Sequence, residues 1–280
     1  MTAAVSLRRP AARLALAAAA ILGLLAPAMT WAKCSKNLAD GTSPRIVRAS
    51  FGEGRLAQTA IASEARITFV GHASFQIETP TGVRVITDYN GVNGYGRRPD
   101  IVTMNNAHTT HYSDEIEPGV THALRGWPDA DHDAVHAIEW RDIKVWNVPT
   151  NARDYGGVRR NGNSIFAFQI GDLCIAHLGH LHHRLNPDHL EALGRIDVLM
   201  VPIDGNYTMG QGLMADVVRQ IQPRIVLPMH YWGRHQFDRF TELLADDHDL
   251  VWPDTRTIDV SKKTLPEKPR IVALAGSGGD

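Results

Sequence analysis

The hydrophobic pattern of this chain changes near its middle, and that change restricts the possible folds more than any other feature. In the first part, short segments alternate apolar and polar side chains between brief turns, which is typical of antiparallel hairpins. In the second part, apolar residues recur with helical spacing or run almost continuously. The predicted hairpins are Phe75–Thr79 with Val83–Thr87, His136–Trp140 with Ile143–Val148, and Ser164–Ile170 with Leu173–Ala176.

The second part carries clear helix signals. Asn186 and Pro187 provide a cap and an early proline that open a helix, and Gly194 closes it. Hairpins followed by alternating helices and strands fit one domain of two packed sheets covered by helices better than two domains. The other predicted helices are Leu213–Gln222 and Phe237–Leu244, and the buried strands are Ile196–Val201, Arg224–Leu227 and Arg270–Leu274.

The first 32 residues have the pattern of a secretory signal peptide. Three arginines precede an apolar run of 16 residues, Leu14–Met29, and small residues then recur at the spacing of a cleavage site. The alternative is a membrane anchor, but a spanning helix needs about 20 residues. We therefore expect residues 1–32 to be a signal peptide, residues 33–64 an N-terminal extension and residues 65–280 one domain. The mature protein is then periplasmic or secreted, without stable membrane insertion.

The charge balance excludes some classes of partner. Residues 1–32 contain three of the 29 Lys and Arg residues and none of the 30 Asp and Glu residues, so the remainder has a formal charge of 26 − 30 = −4. A formal net charge this small and negative does not favour nucleic acid or an anionic membrane as a partner. A small-molecule substrate is expected instead.

The chain has two cysteines, Cys34 and Cys174. In an oxidising compartment a single pair favours one disulfide, which would tie the mature N-terminus to the strand that ends at His177. The alternative is two unpaired thiols, with Cys174 buried as a small apolar side chain.

Histidine is unusually frequent, with 14 residues, and half of them follow the ends of three predicted strands. Imidazole is the commonest neutral nitrogen ligand of zinc, copper and iron, and strand ends hold ligands rigidly. Any single histidine is more simply explained as solvated or hydrogen-bonded, but three strand ends together predict a metal site. The histidines concerned are His108 and His111, then His177, His180, His182 and His183, and finally His230.

Four segments, in the same order along the chain, resemble the metallo-β-lactamase superfamily, in its ascorbate-6-phosphate lactonase-like branch. The resemblance covers about residues 65–245 and implies an α/β fold, a four-layer αββα sandwich, with a metal-dependent hydrolytic site. The segments are Ile67–Phe75 (ITFVGHASF), Val85–Asp88 (VITD), Ile175–Leu181 (IAHLGHL) and Val226–Tyr231 (VLPMHY).

The metal ligands of the family carry over only in part. The resemblance implies a first motif, H-x-H-x-D-H, in which His108 and His111 are kept, whereas Asn106 replaces a histidine and Thr110 replaces the aspartate. The later ligand positions are His177 and His230, which are kept, and His180, which replaces a metal-bridging aspartate.

These departures disfavour two closely spaced ions, because an imidazole has one lone pair per ring and cannot bridge them. The remaining histidines favour a mononuclear His₃ site with water in the fourth position, and His111, His180 and His230 are the preferred triad. The expected ion is one Zn²⁺, with iron as the alternative, and it would generate hydroxide near neutral pH.

The sequence assigns supporting roles to the other residues of the site. His108 and His177 would lie near the triad, and Asn106, Thr110 and His72 are weak ligands or supporting residues. His72, which follows the first strand, is equally well explained as a buried, hydrogen-bonded ring.

Asp204 follows a strand end and is the candidate general base or ligand-supporting group, unless it only caps a loop. Three functions remain open: an exported metal-dependent hydrolase of an ester, lactone, amide or phosphoester; a non-catalytic metal- or ligand-binding relative; and an iron-dependent redox relative.

Overall fold

The structure, a computed structural model, describes Met1, Cys34, residues 64–129 and residues 132–277. The chain divides into two units, residues 1–30 and residues 31–280. The predicted signal peptide, apart from Met1, lies outside the described residues, as does most of the predicted N-terminal extension. Within the described part, no helix combines the length and the apolar character needed to cross a membrane.

Two mixed β-sheets form the body of the described residues. The strands are β1 (Ala65–Gly71), β2 (Ser74–Glu78), β3 (Arg84–Ile86), β4 (Ile101–Met104), β5 (His122–Arg125), β6 (Ala137–Trp140), β7 (Ile143–Asp154), β8 (Gly157–Ile170), β9 (Leu173–His177), β10 (Val198–Pro202), β11 (Ile225–Met229), β12 (Asp249–Val251), β13 (Thr257–Val260) and β14 (Arg270–Val272). One sheet has the order β13-β1-β2-β3-β4-β5, and the other has the order β12-β14-β11-β10-β9-β8-β7-β6.

The three predicted helices are confirmed, with ends that differ by a few residues. They are α1 (Pro187–Leu193), α2 (Gln211–Ile221) and α3 (Arg234–Glu242). At α1 the Asn186 side chain accepts a hydrogen bond from the backbone N–H of His189, which satisfies a donor that the first helical turn leaves open. A short 3₁₀ turn, Lys262–Thr264, precedes β14.

The core lies between the two sheets. Phe69 and Phe75 of the first sheet pack in one apolar cluster with Phe166 and Phe168 of the second. The three helices bury their apolar sides on the outer face of the eight-stranded sheet. The outer face of the six-stranded sheet is covered in the described part by loop side chains rather than by helices, among them Tyr89, Tyr112 and Trp127. The expected α/β architecture of two packed sheets is therefore confirmed.

The three predicted hairpins are present, but one pairing is much longer than the sequence indicates. Strands β7 and β8 pair with each other from Ile143 and Ile170 out to Asp154 and Gly157. The outer half is polar and arginine-rich, so hydrophobic alternation cannot reveal it. The sequence pattern also does not predict the strands β5, β12 and β13, because they are short and half-exposed.

Cys34 and Cys174 form a disulfide, with 5.7 Å between their Cα atoms. Cys174 lies in β9, and the carbonyl of Cys34 accepts a hydrogen bond of 2.9 Å from the backbone N–H of Arg195. These contacts hold Cys34 against the eight-stranded sheet.

Strand direction brings the chemically interesting residues to one edge. Since β1 and β3 both run antiparallel to β2, and β4 runs parallel to β3, the carboxyl ends of β1, β3 and β4 point the same way. Strands β9, β10 and β11 are likewise parallel in the other sheet. The polar residues that follow these six strands are His72, Asp88, His108 and His111, and then His180, Asp204 and His230.

Candidate metal centre

Three imidazoles from three strand ends meet at this edge. His72, His111 and His230, called here the metal triad, each offer a ring nitrogen, and these nitrogens all lie within 4.8 Å of one another. The ring centroids of His72 and His230 are 4.3 Å apart, and those of His111 and His230 are 5.0 Å apart. The structure thus brings together two members of the triad preferred from sequence and adds His72 in place of His180.

The spacing of these nitrogens suits a tetrahedral metal ion. The Nε2 atoms of His111 and His230 are 3.2 Å apart, and two nitrogens bound to zinc at about 2.0–2.1 Å with tetrahedral angles would be about 3.3–3.4 Å apart. The Nε2 atom of His72 is buried without a hydrogen-bond partner among the described residues. An unpaired buried ring nitrogen is costly unless a ligand satisfies it, so the residues present fit a single ion.

Asp88 fixes the orientation of His111. Both side chains are completely buried, and the Nδ1–H of His111 donates to Oδ2 of Asp88. This contact places the proton on Nδ1 and leaves the Nε2 lone pair directed at His230, the arrangement typical of metal-binding histidines. Burial raises the pKa of Asp88 to about 6, and burial together with His230 lowers the pKa of His111, so near pH 7 the pair is a carboxylate and a neutral imidazole.

Asp204 stands in a similar relation to His230, although the contact is less direct. Its Oδ1 lies 3.2 Å from Nδ1 of His230, close enough for an ion pair but not aligned as a hydrogen bond. The other oxygen accepts the backbone N–H groups of Asn206, Tyr207 and Thr208 at 2.5–3.1 Å, and Thr208 Oγ1 donates to Oδ1 at 2.5 Å.

This saturation argues against the predicted role of Asp204 as general base. Burial alone raises its pKa, but His230 and the hydrogen bonds from Thr208 and Asn206 outweigh burial and lower the pKa below its usual range. A carboxylate that binds protons so weakly is a poor base. Asp204 instead orders the loop after β10 and supports His230.

Backbone geometry at the site is unusual. His72, Asp88 and His230 all have left-handed backbones, with φ of 51°, 51° and 56°, a region that costs most non-glycine residues about 1–2 kcal/mol. The backbone N–H of His230 donates to the carbonyl of His72 at 2.9 Å, which ties two of these turns together. Such strained residues concentrate at functional sites, and here they turn the side chains inward as soon as each strand ends.

His180 lies beside the metal triad, with its ring centroid 4.8 Å from that of His111 and 5.1 Å from that of His230. Its Nδ1 is 2.8 Å from Nε2 of His182, and His182 is hydrogen-bonded to the backbone of Thr208. Burial, followed by His111 and His230, lowers the pKa of His180 to about 2. His180 is therefore a neutral ring held at the rim of the triad.

His177 does not take part in the site, contrary to the sequence prediction. It is completely buried; its Nε2–H donates to the carbonyl of Ala73 at 2.7 Å, and its Nδ1 accepts the backbone N–H of Gly179 at 3.0 Å. Both ring nitrogens are used, so neither can bind an ion. Its role is to join the two sheets beneath the site.

The first-motif residues lie farther out. His108 is exposed, its Nδ1 is 3.0 Å from Thr110 Oγ1, and its ring stacks on His180 at 5.8 Å. Asn106 is buried and pairs as an isolated bridge with Asn163; its Oδ1 accepts a hydrogen bond of 3.3 Å from Arg159. Neither Asn106 nor Thr110 joins the metal triad.

Two aromatic side chains, Trp232 and Tyr207, lie on one side of the metal triad. The Trp232 ring lies 5.4 Å from His230 and 5.9 Å from His72, and Tyr207 packs on Trp232 at 5.7 Å. Trp232 and Tyr207 are 58% and 61% exposed, so they are available to an apolar part of a ligand. Tyr231 points the other way and places its hydroxyl 2.8 Å from Ser277.

Sequence reasoning undervalued two residues of this centre. By sequence, His72 is explained equally well as a ligand and as a buried ring, and Asp88 belongs only to the strand segment Val85–Asp88. A signal for both is present in the sequence, because His72 directly follows β1 and Asp88 follows β3 after one residue, much as His230 directly follows β11.

Comparisons with known proteins give a consistent result. The sequence profile of the family described as "Beta-lactamase superfamily domain" matches residues 66–230. A metal-dependent hydrolase from Thermococcus onnurineus is 24% identical over 220 residues, covering 66% of this chain and 95% of the relative. Another from Salinibacter ruber is 23% identical over 218 residues, covering 68% and 95%.

One solved structure is similar at the level of the whole fold. It is a candidate Zn-dependent hydrolase of the metallo-beta-lactamase superfamily from Thermotoga maritima, with a TM-score of 0.54 and 25% identity, covering 75% of this chain and 98% of that one. The lactonase-like branch stays a prediction. Two packed sheets with a histidine site at one edge, together with a family match over more than half of the chain, show that this protein belongs to the beta-lactamase superfamily and has the metallo-β-lactamase fold.

Proposed function

We propose that this protein is a hydrolase that depends on a single metal ion held by His72, His111 and His230. The observation that carries the proposal is the set of three ring nitrogens within 4.8 Å of one another, together with the Nε2 atom of His72, which has no hydrogen-bond partner within the described part of the chain. Three protein ligands with a fourth position open is the arrangement of catalytic rather than structural zinc sites. The relatives named as metal-dependent hydrolases add support.

Zinc is the ion that we propose. An all-imidazole set suits Zn²⁺, whereas non-haem iron sites that handle oxygen usually include a carboxylate ligand. When bound, such an ion acts as a Lewis acid and makes water a nucleophile near neutral pH. The substrate class that we propose is an ester, lactone, amide or phosphoester.

The remaining residues orient the reactants. When the Nδ1–H of His180 donates a hydrogen bond to Nε2 of His182, the Nε2 atom of His180 carries a lone pair and remains an acceptor at the rim of the triad. There it can accept a hydrogen bond from water or from a substrate hydroxyl. Asp88 and Asp204 hold the rings of His111 and His230 in position, and this support keeps the ligands pre-organised.

A second candidate function is metal or ligand binding without catalysis. The observation in its favour is that both carboxylates near the triad, Asp88 and Asp204, are fully engaged, so neither can readily accept a proton from water. Substrate turnover separates the two candidates.

Metal content tests the triad. We expect about one zinc ion per chain in the purified protein by elemental analysis, lost in His72→Ala, His111→Ala and His230→Ala. His108→Ala is the control, because its ring is exposed outside the triad and the ion should remain. Two ions per chain, or an ion retained in His72→Ala but lost in His180→Ala, would contradict the proposed site.

Turnover tests the reaction. A panel of nitrophenyl esters, lactones and phosphodiesters should show hydrolysis that disappears with the metal and returns when zinc is added back. His180→Ala should keep the ion but reduce kcat by about 10-fold or more, since an orienting group is lost. A zinc-loaded protein without turnover of any of these would favour the binding function.

A further inference from the structure

A row of aromatic rings leads from solvent to the metal triad. The Tyr207 ring contacts the Trp232 ring, with 5.7 Å between their centroids. The Trp232 ring in turn lies 5.4 Å from the ring of His230 and 5.9 Å from that of His72. All three distances fall within about 4.5–7 Å, the range of aromatic rings in contact. A flat group placed on Trp232 is therefore beside two members of the metal triad.

The two outer rings of this row, called here the aromatic pair, do not belong to the core. Trp232 is 58% exposed and Tyr207 is 61% exposed, whereas His230 is buried. Among the described residues, neither ring of the aromatic pair is part of an apolar core cluster. Apolar surface left in water is stabilised when a ligand covers it, and a patch of such surface next to a candidate site is a common feature of ligand-binding sites.

The segments that carry the aromatic pair are held by hydrogen bonds connected to Asp204. The backbone N–H of Tyr207 donates to Oδ2 of Asp204 at 2.5 Å, and the backbone N–H of Trp232 donates to Oε1 of Gln236 at 2.9 Å. The Nε2 of Gln236 donates to the carbonyl of Asp204 at 3.0 Å. Since Oδ1 of Asp204 also lies 3.2 Å from Nδ1 of His230, one aspartate supports a ligand and positions both aromatic segments.

The aromatic pair and His180 lie against different members of the metal triad. The His180 ring is 4.8 Å from His111 and 5.1 Å from His230, whereas Trp232 contacts His72 and His230. A substrate at the triad therefore meets a hydrogen-bonding imidazole on the His111 side and an apolar aromatic surface on the His72 side. Two such different surroundings can bind a substrate in one orientation only.

We propose that Trp232, assisted by Tyr207, forms a stacking subsite, and that the substrate carries a neutral aromatic ring close to the bond that is cleaved. Flat rings gain from offset-stacked or edge-to-face contacts in addition to the burial of apolar area. A cationic group is disfavoured there, because it would lie beside the metal ion. The proposal rests on the hydrolase function for its substrate, but the binding of an aromatic ring at these residues does not need turnover.

Binding of two neutral amides tests the subsite directly. Benzamide and cyclohexanecarboxamide are similar in size, but only benzamide has a flat aromatic ring. Ligand-observed NMR titration of the purified full chain, with the metal removed by a chelator, should give saturable binding of benzamide. Its Kd should be lower than that of cyclohexanecarboxamide by about 3-fold or more. Removal of the metal ensures that the amide oxygen does not bind to the ion instead.

Substitutions assign the binding to the aromatic pair. Trp232→Leu should weaken the binding of benzamide by about 5-fold or more, whereas Trp232→Phe, which keeps a flat ring, should weaken it less. Tyr207→Leu should have a smaller effect than Trp232→Leu, because Tyr207 contacts the triad only through Trp232. Tyr155→Leu is the matched control, since Tyr155 is also exposed but lies in the turn between β7 and β8. Zinc content, measured on the same variants, should be unchanged.

Several outcomes would overturn the proposal. No saturable binding of benzamide, equal binding of the two amides, or equal weakening in Tyr207→Leu and Tyr155→Leu would each do so. Equal binding of benzamide by Trp232→Leu and the unmodified protein would also overturn it. Loss of zinc from both Trp232→Leu and Trp232→Phe would show that Trp232 maintains the metal site rather than binding a ring.

A matched pair of esters links the subsite to the reaction. Methyl phenylacetate and methyl cyclohexylacetate both release methanol, so their leaving group contributes no ring. The protein should hydrolyse methyl phenylacetate with the higher kcat/KM, and Trp232→Leu should reduce the ratio of the two values by about 5-fold, while Tyr155→Leu leaves it unchanged. If neither ester is hydrolysed, the proposed function fails for such esters, whereas the subsite is still decided by the binding of benzamide.

Discussion

The imidazole of His111 can bind an ion through Nε2 only while its proton stays on Nδ1, and Asp88 is the group that keeps it there. The carboxylate is buried and its other oxygen is 3.4 Å from the backbone N–H of Asn105, so it has little freedom to move. A supporting residue of this kind matters nearly as much as the ligand itself.

Asp88→Asn should therefore weaken zinc binding without removing a ligand. The amide keeps the shape but loses the charge that favours the Nδ1–H tautomer, and the expected loss of zinc affinity is about 10- to 100-fold. Competition with a chromophoric chelator measures it. Asp259→Asn, in an exposed ion pair with Arg66, is the control; equal affinities in the two variants would rule out a supporting role for Asp88.

Individual residues show where sequence reasoning reaches its limit. The sequence predicts His111 and His230 as ligands, and the structure brings them together, because the loop after β4 and the residue after β11 both lie at the strand-end edge. His177, the last residue of β9, ends at the same edge, but it turns beneath the site and bonds to Ala73. The direction of a side chain depends on the neighbouring strand, which no local pattern records.

The elements that carry the site are strand ends rather than helices. Each ligand segment leaves its strand through a tight turn, and Gly179 makes one of these turns possible. Its φ is +61°, and a Cβ atom there would lie 2.5 Å from Cβ of Asn105 and 2.7 Å from Oδ1 of Asn163. The side chains of Asn105 and Asn163 are buried and hydrogen-bonded, so they cannot move aside without loss.

Gly179→Ala should destabilise the protein by about 2–4 kcal/mol, from the left-handed backbone and the overpacking together. It should also displace His180 and Asn163 and so reduce activity. Chemical denaturation measures the free energy of unfolding. Gly212→Ala is the matched control, since it lies in α2 with open space around it and should be neutral or slightly stabilising; similar losses in both variants would contradict the steric explanation.

Across the whole molecule, the burial of so many imidazoles couples stability to pH. Burial, with the neighbouring rings, lowers the pKa of His72 and His182 to about 4 and that of His180 to about 2. Their unfolded pKa is near 6.5. The stability that depends on these neutral rings is complete above pH 6.5 and is lost as the pH falls, because the unfolded chain then binds protons that the folded protein does not.

We therefore expect the metal-free protein to lose stability steadily between pH 6.5 and pH 4. Asp88 has the opposite effect. Because its pKa is raised to about 6, the folded protein binds about one proton that the unfolded chain does not as the pH falls below 6, and this offsets part of the loss of stability. Replacing one ring, as in His72→Gln, should reduce the slope of unfolding free energy against pH by about 1.4 kcal/mol per pH unit near pH 5. Urea unfolding over this pH range measures the slope for the unmodified protein and for His72→Gln. Equal slopes for the two proteins would show that His72 does not contribute to the pH dependence.

The order of the buried strands and of the helices is determined by the sequence alone, because the period of apolar residues and the capping residues are local properties, whereas the half-exposed strands β5, β12 and β13 leave no such pattern. The sequence alone also determines the placement of histidines after strand ends, and with it the expectation of a metal site in the metallo-β-lactamase fold. The identity of the three imidazoles that meet was decided only by the tertiary structure. Their distances depend on two sheets aligning at one edge and on left-handed turns at His72, Asp88 and His230. Both depend on contacts between segments that are distant in the sequence, so no single segment of the chain determines them.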